Sequence, residues 1–72
     1  MVDFSTATHD EAETLHGGLE LIIPKYIKWA DNYMALGKED HAIVYLERVM
    51  VAEEMMRELV ERMRETVGED NQ

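Results

Sequence analysis

The stretch HAIVYLERVMVAEEMM, His41 to Met56, carries apolar residues around more of its circumference than a single helix face can hold. Ala42, Tyr45, Leu46, Val49, Ala52 and Met56 recur three and four residues apart, and the stripe continues through Leu59, Val60, Met63 and Val67. This spacing is that of an α-helix, and the stripe is the face expected to lie against another helix of the same chain. Ile43, Val44, Met50, Val51 and Met55 point more than a quarter turn away, and on the far side only Glu47 and Glu54 interrupt them. One partner helix cannot cover both faces.

Working outward, the helix is predicted over 39–67, since no glycine or proline occurs until Gly68, and residues 68–72 read as a frayed, solvated tail. At 1.5 Å per residue this helix is roughly 40 Å long. Past Met56 its outer face turns charged, with Glu53 and Arg57, Arg57 and Glu61, and Glu58 and Arg62 spaced four apart for weak supporting pairs. Upstream, Gly37 suits a left-handed helix end, which makes 37–38 a tight turn.

Before the turn, a first helix is predicted over 9–36. Thr8 and Glu11 have the spacing of a capping box, and residues 1–8 ahead of them read as a loose arm. Apolar residues from Ala12 through Leu15, Leu19, Ile22, Ile23, Tyr26, Ile27, Ala30 and Tyr33 to Met34 form one broad face. The same segment contains Gly17, Gly18 and Pro24. Two glycines cost roughly 2 kcal/mol of helix propensity and an interior proline about 3 kcal/mol, so a kink or break is expected near 17–24. One long bent helix and a short helix followed by a longer one both satisfy the pattern; the unbroken apolar phase favours the first.

The chain has 72 residues, enough for one domain. A chain this small buries too little surface for comfortable stability alone, and with no cysteine it has neither disulfides nor thiolate metal sites to compensate. Self-association therefore gains weight. The apolar fraction of 46% speaks against general disorder despite 32% charged residues. The formal charge of −9 divides as −5 over 1–24, +2 over 25–38 and −6 over 39–72. Such a surface repels nucleic-acid phosphates and anionic membranes and is complementary to a basic partner. No apolar run approaches a membrane span, the start of the chain lacks the order of a signal peptide, and the expected location is the cytoplasm.

Candidate chemistry is sparse. His9, Glu13, His16 and Glu20 include the Glu-x-x-His spacing used in di-iron bundles, but no second copy of the motif supports it, and a solvated polar face explains the residues better. No Cys nucleophile or glycine-rich phosphate loop is present, and the single Ser5 lies in the arm, so the expectation is a non-enzyme without cofactor or metal. Lys25, Lys28 and Trp29 form a secondary basic and aromatic patch, read as a helix-surface feature or a docking point for acids of another subunit.

Tyr26, Trp29, Ala30 and Tyr33, then Gly37, then Ala42, Leu46 and Val49, follow the order in which a tetratricopeptide-type hairpin places its aromatic, small and turn residues. Over Tyr26 to Met50 the segment resembles one such hairpin, which implies a peptide- or protein-binding role and no catalysis. Trp29 and Ala30 replace the motif's Leu-Gly, Glu54 stands at its proline position, and no second repeat follows.

The expected fold is all-α: an antiparallel helical hairpin that pairs with a second copy into a dimeric four-helix arrangement. The chain's own N-terminal arm, Phe4 to Leu15, and a foreign protein are the other candidates for covering the second apolar face. The expected function is protein binding by a small acidic regulator or inhibitor that occludes a basic surface of another protein. In general character this is similar to phage-encoded antagonists of nucleic-acid-binding proteins. Ile43, Val44, Met50, Val51 and Met55 supply the apolar contact, while Glu47, Glu54, Glu58 and Glu61 steer the basic partner. A structural assembly subunit and a metal-binding bundle are the alternatives.

Overall fold

The computed structural model describes residues 4–70 as two α-helices, α1 (His9–Ala35) and α2 (Glu39–Asp70), which pack antiparallel as a hairpin. Residues 1–3 of the expected arm and 71–72 of the expected tail lie outside the described residues. The molecule measures 53 × 20 × 12 Å, a single layer of two helices with one seam.

The capping box forms as its residues dictate. The Thr8 hydroxyl accepts from the Glu11 backbone N–H at 3.1 Å, and the Glu11 carboxylate accepts from the Thr8 N–H at 2.9 Å. Hydrogen bonds from the Thr8 backbone and then its side chain hold the Glu11 carboxyl below the ordinary 4.5. At the other end, Gly37 takes φ +76° while the Lys38 N–H bonds to Tyr33 O at 2.8 Å and the Gly37 N–H to Met34 O at 3.0 Å. This is a Schellman closure, which needs a residue that tolerates the left-handed region.

Between these ends α1 is continuous, so the alternative of a broken first helix is excluded. Gly17 and Pro24 stand seven apart on one row of the helix that faces away from the seam, and Pro24 is exposed. Pro24 has no N–H to offer the Glu20 carbonyl, and on the wet side of the helix water can take that place. Neither Gly17 nor Gly18 has any neighbour within 4 Å of where a Cβ would sit, so the glycines cost propensity without serving close packing.

The seam follows a seven-residue repeat. Ala12, Ala30, Ala42, Val49, Ala52, Leu59 and Thr66 are buried in it, with Leu19, Ile23, Tyr26, Tyr33, Tyr45, Met56 and Met63 half-buried at the intervening positions. Two residues expected in the α2 stripe fall outside it: Leu46 is 44% exposed and Val67 is 51% exposed, while Thr66 is fully buried. A straight wheel of 3.6 residues per turn drifts about 20° per heptad from a 3.5-residue seam, which over the length of α2 exchanges Val67 for Thr66. The broad face of α1 narrows likewise, leaving Leu15, Ile27 and Met34 exposed because a single neighbouring helix covers only the central rows.

The arm is not loose from Phe4 onward. Phe4 is buried against Ala12 and Leu59, with Leu19, Met55 and Met63 packed around them. The Ala7 N–H closes a turn on Phe4 O at 3.0 Å, and Arg62 Nε donates to Ala7 O at 2.7 Å. Arg62 also pairs with Glu65 at 3.3 Å rather than with the expected Glu58. The expected tail is corrected too: α2 runs past Gly68 to Asp70, since one glycine costs only about 1 kcal/mol in a helix.

Candidate functional site

The seven-residue rows of α2 show how its outer side is built. Asp40, Glu47, Glu54 and Glu61 occupy the row opposite the seam, an acidic ridge exposed along its whole length. To one side of the ridge stand Val44 and Val51, and to the other Ile43 and Met50. The second apolar face read from the sequence therefore lies on both sides of a row of carboxylates, with Met50 and Val51 meeting across it in one shallow hollow.

Val44 and Val51 open onto a groove between the helices, shared with Met55 of α2 and with Leu19, Ile22 and Tyr26 of α1. Met55 is half-buried because it also packs on the Phe4 cluster, whereas Val44 and Val51 are 45% and 57% exposed. The N-terminal arm thus covers Met55 but not the valines, and a continuous α1 prevents the rest of 4–15 from folding over them. Leu15 and Trp29 lie seven residues either side of Ile22 on the same row of α1 and extend the apolar strip along the groove.

At its end nearer the turn the groove has an aromatic wall. Trp29 packs on Tyr26 and Tyr45 with ring centroids 5.8 and 5.6 Å apart, and Tyr33 stacks on Tyr45 at 5.6 Å, 8° from parallel. The Arg48 guanidinium lies over the Tyr45 ring, 5.2 Å from its centroid. These contacts join the four rings into one wall and place one cation beside the apolar strip. Lys25 lies one helical turn before Trp29 on the same side, and Lys28 stands on the adjoining outer row of α1, all three exposed.

On the opposite flank, Ile27 and Met34 of α1 and Leu46 of α2 each follow a seam residue, and Ile43 and Met50 adjoin them on α2. All five are exposed, Met50 at 70%. Met50 shares a shallow hollow with Val51, Glu47, Glu53, Glu54 and Arg57. Sequence reasoning assigned Ile27, Met34 and Leu46 to the core; only a seven-residue frame in place of a 3.6-residue one moves them outward.

The remaining candidates resolve as follows. Glu58 is half-buried and Glu61 exposed. His9 Nδ1 lies 2.9 Å from Thr66 Oγ1 with its Nε2 3.5 Å from Glu13, and His16 Nδ1 lies 3.2 Å from Glu20. Among the described residues no three His, Asp or Glu side chains are grouped to hold a metal ion, and no helix is long and apolar enough to cross a membrane. Compared with protein-family models, with curated proteins and with solved structures, the chain matches none of them.

Proposed function

We propose that this chain is an acidic interaction module that works as a homodimer, two hairpins meeting groove to groove in a four-helix arrangement that presents acidic ridges to a basic surface of another protein. The observation that carries the reading is the exposure of Val44 and Val51 beside Trp29 along one groove built by both helices. Each such side chain contributes about 1.5–3 kcal/mol when fully buried, a large share of the 5–15 kcal/mol that holds a typical domain folded. A seam whose buried residues include four alanines leaves much of that unrealised within one chain.

A second copy suits the groove because the groove carries both signs of charge. Lys25 and Arg48 stand along it and Glu47 and Glu54 on the ridge beside it, so a two-fold axis across the groove brings bases of one copy toward acids of the other. The regulatory role, occluding a basic and nucleic-acid-binding face in the manner of a phage-type antagonist, rests on the acidic ridge and the charge of −9. A structural assembly subunit is the second reading, favoured by apolar surface on both flanks of the ridge.

Sedimentation equilibrium from low to high micromolar concentration tests the dimer, with wild type beside Val51→Glu. The expected result is a wild-type dimer that the variant dissociates while its helical circular dichroism persists. A wild-type monomer across the range overturns the dimer, and a ladder of larger species replaces it with the assembly reading.

A further inference from the structure

The flank that carries Leu46 differs from the groove in its charge. Glu20 and Glu53 stand on its two inner rows, Asp31 borders it on α1, and Glu47 of the ridge borders it on α2. All four are exposed; the bases nearby are Lys28 on the outer row of α1, Lys38 in the turn and Arg57 in the hollow beside Met50, so acids outnumber bases along the flank. Two copies brought together here would oppose like charges over desolvated apolar residues, which costs rather than contributes.

The apolar residues of this flank make a line. Ile43, Leu46 and Met50 follow one another at three and four residues along α2, about 10 Å of helix, and Ile27 and Met34 run beside them at an interval of seven on α1. A straight strip of this kind, bounded by parallel helices, receives another helix by its i, i+3/i+4 and i+7 side chains. Met34 and Met50 give it an adaptable surface.

We infer that the Ile43–Leu46–Met50 flank docks a basic amphipathic helix of a different protein, while the groove on the other side of the ridge is occupied by the second copy. The inference rests on the reading of the chain as an interaction module and names the chemistry of its partner. Because Ile43 and Leu46 lie across the acidic ridge from Val44 and do not line the groove, dimerisation there leaves this flank open, and one dimer holds two partner helices, one on each outer side. The carboxylates select a lysine- or arginine-rich helix and reject an acidic one; the apolar strip supplies the part of the affinity that salt does not screen.

Fluorescence anisotropy tests this with a labelled leucine–lysine amphipathic peptide as probe and a leucine–glutamate peptide of the same pattern as control. The lysine peptide is expected to bind wild type and the glutamate peptide not to. Leu46→Ser with Met50→Ser is expected to weaken binding by about tenfold or more, while Val44→Ser, which lines the groove and not the hollow at Met50, changes it by less than about twofold. Glu47→Lys with Glu53→Lys, which leaves every apolar residue in place, is expected to reverse the preference between the two peptides.

Equal binding of both peptides, absence of binding to wild type, or equal loss in the Val44→Ser variant overturns the inference. Sedimentation of the same samples keeps the two readings apart. A wild-type monomer that still shows the peptide selectivity sinks the groove dimer alone, and a dimer without selectivity sinks this flank alone.

Discussion

His9 Nδ1, in the first turn of α1, lies 2.9 Å from the hydroxyl of Thr66 near the far end of α2. Thr66 is fully buried, and its own hydroxyl is 3.0 Å from Arg62 O and 3.2 Å from Met63 O. A hydroxyl both donates and accepts, so Thr66 Oγ1 can bond to His9 Nδ1 in either tautomer of the ring. The bond links the open ends of the two helices, the part of the hairpin farthest from the turn.

Thr66→Val keeps the shape of this side chain and removes its oxygen. The buried partner of His9 Nδ1 is lost, and the expected cost is about 1–2 kcal/mol, or roughly 5–10 °C in Tm. Urea and thermal unfolding at a fixed protein concentration check it, because self-association makes Tm depend on concentration. An unchanged midpoint means that the contact contributes nothing net.

Phe4 is the largest apolar group that the chain ahead of α1 contributes to the core, and it sits on Ala12, which leaves the pocket, and Leu59, which closes it. Phe4→Ala is expected to destabilise by about 3 kcal/mol through lost burial and the cavity left behind. Leu21→Ala, at a position 74% exposed, is expected to stay within about 0.5 kcal/mol. Urea unfolding of the two variants side by side gives the contrast. Similar midpoints would show that the Phe4 contact does not persist in solution.

Much of the fold is legible in the sequence because its signals are local. Thr8 with Glu11 marks the start of α1, Gly37 the turn, and the run without glycine or proline the body of α2. Phe4 is not legible, because one aromatic among small polar residues has no period to show what it packs against. Thr66 and Val67 exchange roles because the buried seam keeps a seven-residue repeat and not the 3.6-residue wheel of one straight helix. The candidate surface is half legible: the sequence separates Ile43 through Val51 from the core, but the same residues in a seven-residue frame part to either side of Glu47 and Glu54.

The glycines carry opposite predictions. Gly17→Ala and Gly18→Ala place a methyl in open space on a helix, and each is expected to stabilise by about 0.5–1 kcal/mol. Gly37→Ala at φ +76° is expected to cost about 1–2 kcal/mol, as the left-handed region is strained for any residue with a Cβ. Thermal unfolding of the three variants decides it. Destabilisation by Gly17→Ala would mean that a partner or second copy closes against that row.

Stability toward acid carries the signature of the capping box. With Thr8 holding the Glu11 carboxyl below 4.5 in the folded chain, Glu11 binds its proton more readily when unfolded. Its stabilisation is therefore present above pH 4.5 and is lost as pH falls through the lower folded value. Glu11→Gln retains a side chain able to accept from the Thr8 N–H but has no charge to titrate, so the gap in stability between it and wild type should be widest near neutrality and close in acid. The other carboxylates titrate in both proteins and cancel in that difference. In a Thr8→Ala background the gap should become smaller and flatter with pH, because the side-chain bond that helps to lower the Glu11 pKa is gone. A gap that stays constant from neutral pH into acid would show that Glu11 acts by shape alone, without its charge.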